Sequence, residues 1–280
     1  MTDQDAYDEI GYWSEIKLDI IREYAKAYST IISSYPKISR HLYIDAFAGY
    51  GVHVSKTTGQ FVKGSPTNAL LVEPPFKEFH LIDLNSSRVD SLQKIANGRK
   101  DVHIYQGDCN EVLLNQVFPL CRYEDYARAL CLLDPYELNV DWQVLKTAGE
   151  SKSIEIFFNF MIMDANRNVL WHRPEDVAPE QVERMNRFWG DNSWQEAAYK
   201  KEQLSLFDDN EFIPEKKTND AVATAFQKRL QEVAGFKFVP DPLPMKNKKG
   251  ATVYYLYFAS PNETGAKIVR EIFAKHERRM

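Results

Sequence analysis

Five short runs of β-branched and aromatic residues recur up to Phe160, most of them followed by a stretch with helical spacing. They are His41–Phe47, Glu78–Leu84, Val102–Gln106, Ala127–Leu133 and Ser153–Phe160. Strands that are apolar along their whole length are buried on both faces. Alternation with helices then implies a largely parallel sheet covered on each side. Crossovers of one hand place the carboxyl ends of such strands, and with them the ligand site, along one edge.

The remaining elements follow from periodicity and caps. Trp13, Ile16, Ile20, Tyr24, Ala27 and Ile31 share one face of a helix expected from Tyr12 to about Ser33. Asn85 or Ser86 can cap a helix after the second strand. Residues 163–218 are rich in Trp, Asn, Glu and Lys without a strand pattern, and read as a helical insertion or lid. A helix from Asn219 to about Ala234, strands Phe236–Val239 and Thr252–Phe258, and a helix Gly265–His276 complete the chain. The expected division is a helical segment 1–40, a Rossmann-like core 41–162, the insertion 163–218, and a completion of the sheet over 219–280.

Composition excludes several classes. No window approaches ~20 consecutive apolar residues, so no membrane span is expected. The start, Met1-Thr2-Asp3-Gln4-Asp5, lacks an apolar core and does not read as a secretory signal, which makes a cytoplasmic location the expectation. Cys109, Cys121 and Cys131 are odd in number and lack metal-site spacing, and the six histidines show no ligand spacing either. With 35 Lys+Arg against 40 Asp+Glu, the net charge of −5 speaks against a bulk nucleic-acid binder. A local basic patch remains open at Lys246, Lys248 and Lys249, or at Arg278-Arg279, each of which also reads as a solvated loop or tail.

Polar signals gather at the strand ends. Asp45-Ala-Phe47-Ala-Gly49-Tyr-Gly51 puts two glycines where the first strand turns, and glycine permits positive φ and close approach of backbone to a ligand. Val54 stands where a dinucleotide fingerprint needs its third glycine, and no Walker lysine pattern is present. Asp83, ending the second strand, can accept two ribose hydroxyls or interact with a helix dipole. Asp108, ending the third, can accept an adenine amino group beside the Cys109 N–H, or cap a helix. Asp134-Pro135 ends the fourth strand. Lys17 lies ~40° from Trp13 and ~20° from Tyr24 at 100° per residue, inside an apolar face. It is either a snorkelling lysine or an ammonium held at the site edge.

In this order DxFAGxG, LIDLN, GDCNEV and LLDPYELNVDW resemble class I S-adenosylmethionine-dependent methyltransferases. The closer resemblance is to three-Cys-motif partner proteins, carried by Trp13…Lys17, Asp45 to Gly51, Gly64-Ser-Pro66, Asp134-Pro135-Tyr136 and Tyr254-Tyr-Leu256. It implies a seven-stranded sheet with an antiparallel last strand. It implies a cofactor site from Asp45, Phe47, Gly49, Gly51, Asp83, Asp108 and Cys109, with S-adenosylmethionine as cofactor. The chain departs from the pattern at Phe47, where many such enzymes have glycine, and in the long stretch Val52–Phe76 before the second strand.

Asp134-Pro135-Tyr136 resembles the DPPY signature of methyltransferases acting on exocyclic amines, with one proline missing. There the acid orients the amine and the ring stacks on an extruded base; a plain strand-ending turn is the alternative. With Lys17 as anchor, the expected activity is methyl transfer to a nitrogen of a base in RNA or DNA. The alternatives are a non-catalytic partner of a neighbour-encoded three-Cys-motif protein, and a small-molecule methyltransferase. Trp171, Trp189 and Trp194 in the insertion are candidates for stacking on a base.

Overall fold

The computed structural model describes residues 7–203 and 212–278. Its centre is a seven-stranded sheet. We number the strands β1 Arg40–Asp45, β2 Glu78–Asp83, β3 Val102–Gln106, β4 Ala127–Leu133, β5 Ile154–Phe160, β6 Leu243–Lys246 and β7 Thr252–Ala259. Their order across the sheet is β6-β7-β5-β4-β1-β2-β3. β1 to β5 pair in parallel, while β7 runs antiparallel to both β5 and β6. This is the mixed α/β, seven-stranded and mostly parallel sheet with antiparallel β7 that the resemblance implies. Because β1 pairs with β2 on one side and β4 on the other, chains leaving the sheet diverge there and open a crevice.

Alternation along the strands sorts side chains into two cores. Leu42, Ile44, Ala129, Cys131, Leu133, Ile156 and Phe158 point to one face. There they meet α5 (Trp142–Ser151), α7 (Pro179–Trp189) and α9 (Asn219–Glu232). Tyr43, Leu130, Leu132 and Phe157 point to the other, against α1 (Tyr12–Ser33) and α10 (Glu263–Glu277). The period of two also places Glu155 and Asn159 of β5 on the α1 face, between apolar neighbours. The other helices are α2 (Ser65–Leu70), α3 (Ser86–Ala96), α4 (Cys109–Val112), α6 (Ile162–Asn168) and α8 (Trp194–Ala198).

The sheet edge and the insertion depart from expectation. The strand expected at Phe236–Val239 is absent except for a bridge between Phe238 and Ser260; the sixth strand is Leu243–Lys246. Gly235 takes a positive φ, and Pro240 and Pro242 cannot donate to a ladder, so pairing starts later. Pro244 is tolerated because β6 lies at the sheet edge. The stretch Val52–Phe76 is structured: Val52–Ser55 and Phe61–Lys63 form a small sheet with Glu9–Ile10, followed by α2.

The insertion holds a two-stranded hairpin, Tyr199–Gln203 with Phe212–Lys216, as well as helices. Trp189 and Trp194 are buried in the β5 core with Phe188 and Phe226, so base stacking by these two is overturned. Trp171 remains 40% exposed. The segment therefore shares the sheet's own core rather than standing off from it. The expected tail residue Arg279 lies outside the described residues, as does the start Met1–Asp5.

Candidate functional site

The turn after β1 is built by hydrogen bonds among strand ends. Gly49, at φ +63°, donates its N–H to Asp83 Oδ2 at 2.9 Å, and Asn85 N–H donates to Asp83 Oδ1 at 2.9 Å. Nothing lies within 4 Å of the place a Gly49 Cβ would occupy. Gly51, at φ +72°, serves packing instead: an added Cβ would meet Ile95 Cδ1 of α3 at 2.5 Å. Asp45 is fully buried beneath the turn, where its Oδ1 accepts the Phe47 N–H at 3.2 Å. Burial pushes its carboxyl up to about 7, partly offset by Ser65. It shapes the loop and lines neither cavity described below.

A cavity of about 490 Å³ opens beside this turn, over the ends of β2 and β3. Phe47, Asp83, Arg88, Asp108, Cys109 and Tyr136 line it, and Arg187 reaches it from α7. Asp108 caps α4, its Oδ1 accepting from the N–H groups of Asn110 and Glu111. The capping role and a place in the cavity wall thus coexist. Burial pushes the Cys109 thiol up to about 12, which favours the neutral thiol.

A second chamber, about 180 Å³, lies over the ends of β1, β4 and β5. Its polar lining includes Lys17, His53, Ser65, Asp134, Asn159 and Tyr254. Lys17 on α1 donates to Asp134 Oδ2, and Asn159 Nδ2 donates to Asp134 Oδ1. The Lys17 ammonium also stands 5.4 Å from the centre of the Tyr254 ring. Lys17 is thereby buried at the chamber rather than snorkelling to the surface, and its ammonium pairs with Asp134. Among the described residues, the buried Asn159 Oδ1, His53 Nδ1 and Tyr254 OH have no hydrogen-bond partner, which leaves the chamber with spare acceptor and donor capacity. Burial, reinforced by Lys17, pushes His53 down, favouring neutral imidazole.

Phe47 and Tyr136 line both spaces and form the wall they share. Tyr136 is 61% exposed, with the Arg88 guanidinium 5.8 Å from its ring centre. Arg88 in turn pairs with Asp8 at 2.9 Å and approaches Asp83 at 3.7 Å. Pro135 is buried behind Asp134 and holds the turn.

Asn159 and Arg88 are not singled out by the sequence alone, and Tyr254 enters it only as part of a late strand. Asn159 had one visible signal, a polar side chain four positions after Glu155 in an otherwise apolar strand. Glu78, His80 and His103 also come together, their ligand atoms all within 4.8 Å of one another, although no spacing in the chain announces it. They sit at the opposite end of β2 from Asp83, and both Glu78 oxygens are bonded by Arg40.

No protein-family profile matches the chain, and no curated protein matches it. Among solved structures, the protein LPL1258 from Legionella pneumophila is 11% identical, with TM-score 0.46, over 92% of this chain and 90% of that one. An O-methyltransferase from neocarzinostatin biosynthesis, solved with S-adenosylmethionine, is 12% identical with TM-score 0.36. A dimethyladenosine transferase from Plasmodium falciparum is 12% identical with TM-score 0.35. The matches to these two methyltransferases cover 83% and 89% of this chain, but only 52% and 62% of theirs. The reading of the site rests on its own geometry.

Proposed function

We propose that the chain is an S-adenosylmethionine-dependent methyltransferase acting on a nitrogen of a nucleic-acid base. One observation carries this reading: two adjoining chambers share the Phe47–Tyr136 wall, one bearing Asp83 and Asp108, the other Asp134. The larger fits the cofactor. Asp83 is held by two main-chain N–H groups, and each of its oxygens keeps a lone pair for a ribose hydroxyl. Asp108 and Cys109 line this larger chamber and can read an adenine edge; Gly49 lines the smaller chamber, and the open space beside it admits close approach to its backbone there.

S-adenosylmethionine, when bound, supplies an electrophilic methyl group; the chain positions the acceptor. Asp134 accepts a hydrogen bond from the amine, drawing its lone pair out of conjugation. Lys17 and Asn159 hold that carboxylate in one orientation. Tyr136 offers a ring face at the chamber mouth for a base. Because methyl transfer is an in-line displacement, such positioning accounts for most of the catalysis.

A non-catalytic partner of a neighbour-encoded three-Cys-motif protein is the second reading. It is favoured by the fact that both Asp134 oxygens already have partners within the chain. Calorimetry with S-adenosylmethionine, followed by methyl incorporation into total RNA and DNA, separates the two. Binding with incorporation supports the enzyme. Binding without incorporation supports the partner, and absence of binding removes both cofactor roles.

A further inference from the structure

We propose that the groove between the first turn of α1 and the β6–β7 hairpin binds the phosphate backbone of a single-stranded nucleic acid that feeds the smaller chamber. The groove has a volume of about 560 Å³ and is lined by Tyr12, Trp13, Thr57, Lys246, Lys248 and Glu277, among others. The inference rests on the base-methylation reading for its occupant, and deepens it from a base to a strand.

Three observations support it. The first is continuity: Trp13 lines both this groove and the chamber holding Lys17, Asp134 and Asn159. A strand lying in the groove is thus one aromatic residue away from the place where a base would be presented.

The second is charge. The chain carries a net charge of −5, yet Lys246, Lys248 and Lys249 cluster on one hairpin. All three are exposed, and none has an acidic partner among the described residues. Their turn is fixed: Asn247 accepts from the N–H of Lys249 at 2.9 Å and of Ala251 at 3.1 Å, and the Gly250 N–H donates to Asn247 O at 2.9 Å. A basic turn held in this way presents its ammonium groups from a constant backbone, which is useful for phosphates. One carboxylate, Glu277, opposes them in the lining.

The third is the chemistry of the opposite wall. Tyr12 and Trp13 of α1 line the groove together with Lys246 and Lys248, and aromatic residues beside ammonium groups suit bases strung along a phosphate chain. An acidic peptide would use the lysines but would have no use for the rings or for the connection to the chamber. That favours nucleic acid over protein as occupant.

The test is fluorescence anisotropy with a labelled single strand of about twelve nucleotides, as RNA and as DNA in separate arms. An oligoglutamate peptide of matching charge forms a third arm. The full chain is compared with K246E/K248E/K249E and with Trp13→Ala, each checked for an unchanged unfolding midpoint. The charge-reversed chain is expected to bind at least tenfold more weakly. Its slope of log K against log salt should fall by about 2, at ~0.7 per phosphate contact. Trp13→Ala should cost about tenfold, and the tighter of the two nucleic-acid arms identifies the natural strand.

Equal binding by wild type and the reversed chain overturns the groove. So does no binding of either strand, or a peptide bound more tightly than both. Calorimetry with S-adenosylmethionine on the same proteins keeps the two readings apart. Lysine-dependent strand binding without cofactor binding leaves the groove standing and removes the methyltransferase. Cofactor binding with lysine-independent strand binding does the reverse.

Discussion

The ammonium of Lys17 and the carboxylate of Asp134 form an ion pair across 117 residues of chain, joining the first helix to the end of the fourth strand. The contact is mostly buried: the two side chains are 9% and 27% exposed. It explains a lysine inside an apolar helix face, and it makes the presentation of Asp134 depend on α1.

Lys17→Met should therefore act on both stability and activity. The substitution keeps the apolar stem but leaves Asp134 without its charged partner. A charge-assisted hydrogen bond contributes about 1.5–3 kcal/mol, and a loss of that order is expected in urea unfolding. Methyl incorporation should fall with it. Unchanged stability would show that the pair is not formed in solution.

Asp83→Ala should weaken binding of S-adenosylmethionine by about 10- to 150-fold, the equivalent of ~1.5–3 kcal/mol. The carboxylate both offers lone pairs to a ribose and holds the Gly49 N–H, so loop order is lost along with direct contact. Gly49→Val should abolish binding, since a β-branched residue at φ +63° is strained and its side chain fills the open space beside the turn. Calorimetry measures both, and affinities within threefold of wild type would remove this turn from the cofactor site.

Asp134→Ala should eliminate methyl transfer while leaving cofactor affinity nearly intact, because Asp134 lines only the smaller chamber. Tyr136→Ala should weaken substrate binding by ~1–3 kcal/mol through lost stacking. Tyr136→Phe should be mild: the hydroxyl's contact is with Asp8 at 3.5 Å, a weak one. Equal incorporation by wild type and Asp134→Ala would exclude the acid from the mechanism.

Glu155 should impose a pH dependence on stability. Burial pushes its carboxyl up to about 7, against the Tyr24 and Ser260 hydroxyls, which donate to it and lower the value. A raised pKa means the folded state holds a proton that the unfolded chain releases near 4.5. Its contribution is thus complete below that point and is lost as pH rises through about 7. Asp45, also raised to about 7, acts in the same direction. Unfolding free energy should decline from pH 5 to pH 8, and Glu155→Gln should flatten that decline. An unchanged slope in the variant would place the linkage elsewhere.

Local pattern was enough for much of the scaffold. The strand Ala127–Leu133 and the helix starting at Tyr12 occur where periodicity places them, and Asn85 caps α3 through its side chain. Burial on two faces leaves an apolar run, and a glycine at a positive φ leaves a gap no other residue fills easily; both marks are local, hence legible. The sheet edge differs from expectation because Phe236–Val239 carries the stronger apolar pattern, yet Leu243–Lys246 forms the edge strand. Which of them joined β7 depended on Gly235 and on the prolines between.

The residues of the smaller chamber come from distant parts of the chain. Lys17 meets Asp134, and Asn159 meets the same acid; outside the chamber, Tyr24 meets Glu155 on the same α1 face of the sheet. Periodicity states which side of its own element a residue occupies, but not which element will cover that side. That choice belongs to strand order and to the path of α1 across the sheet. The burial of Trp189 and Trp194 has the same origin, since an indole serves a core and a stacking platform equally well until its neighbours are known. Composition and spacing thus established the strands, the glycine turn and the acids at the strand ends, because those are properties of short segments. Only the packed sheet determined which acid is paired, which aromatic is free, and that two chambers share one wall, because those are contacts between segments that no local pattern encodes.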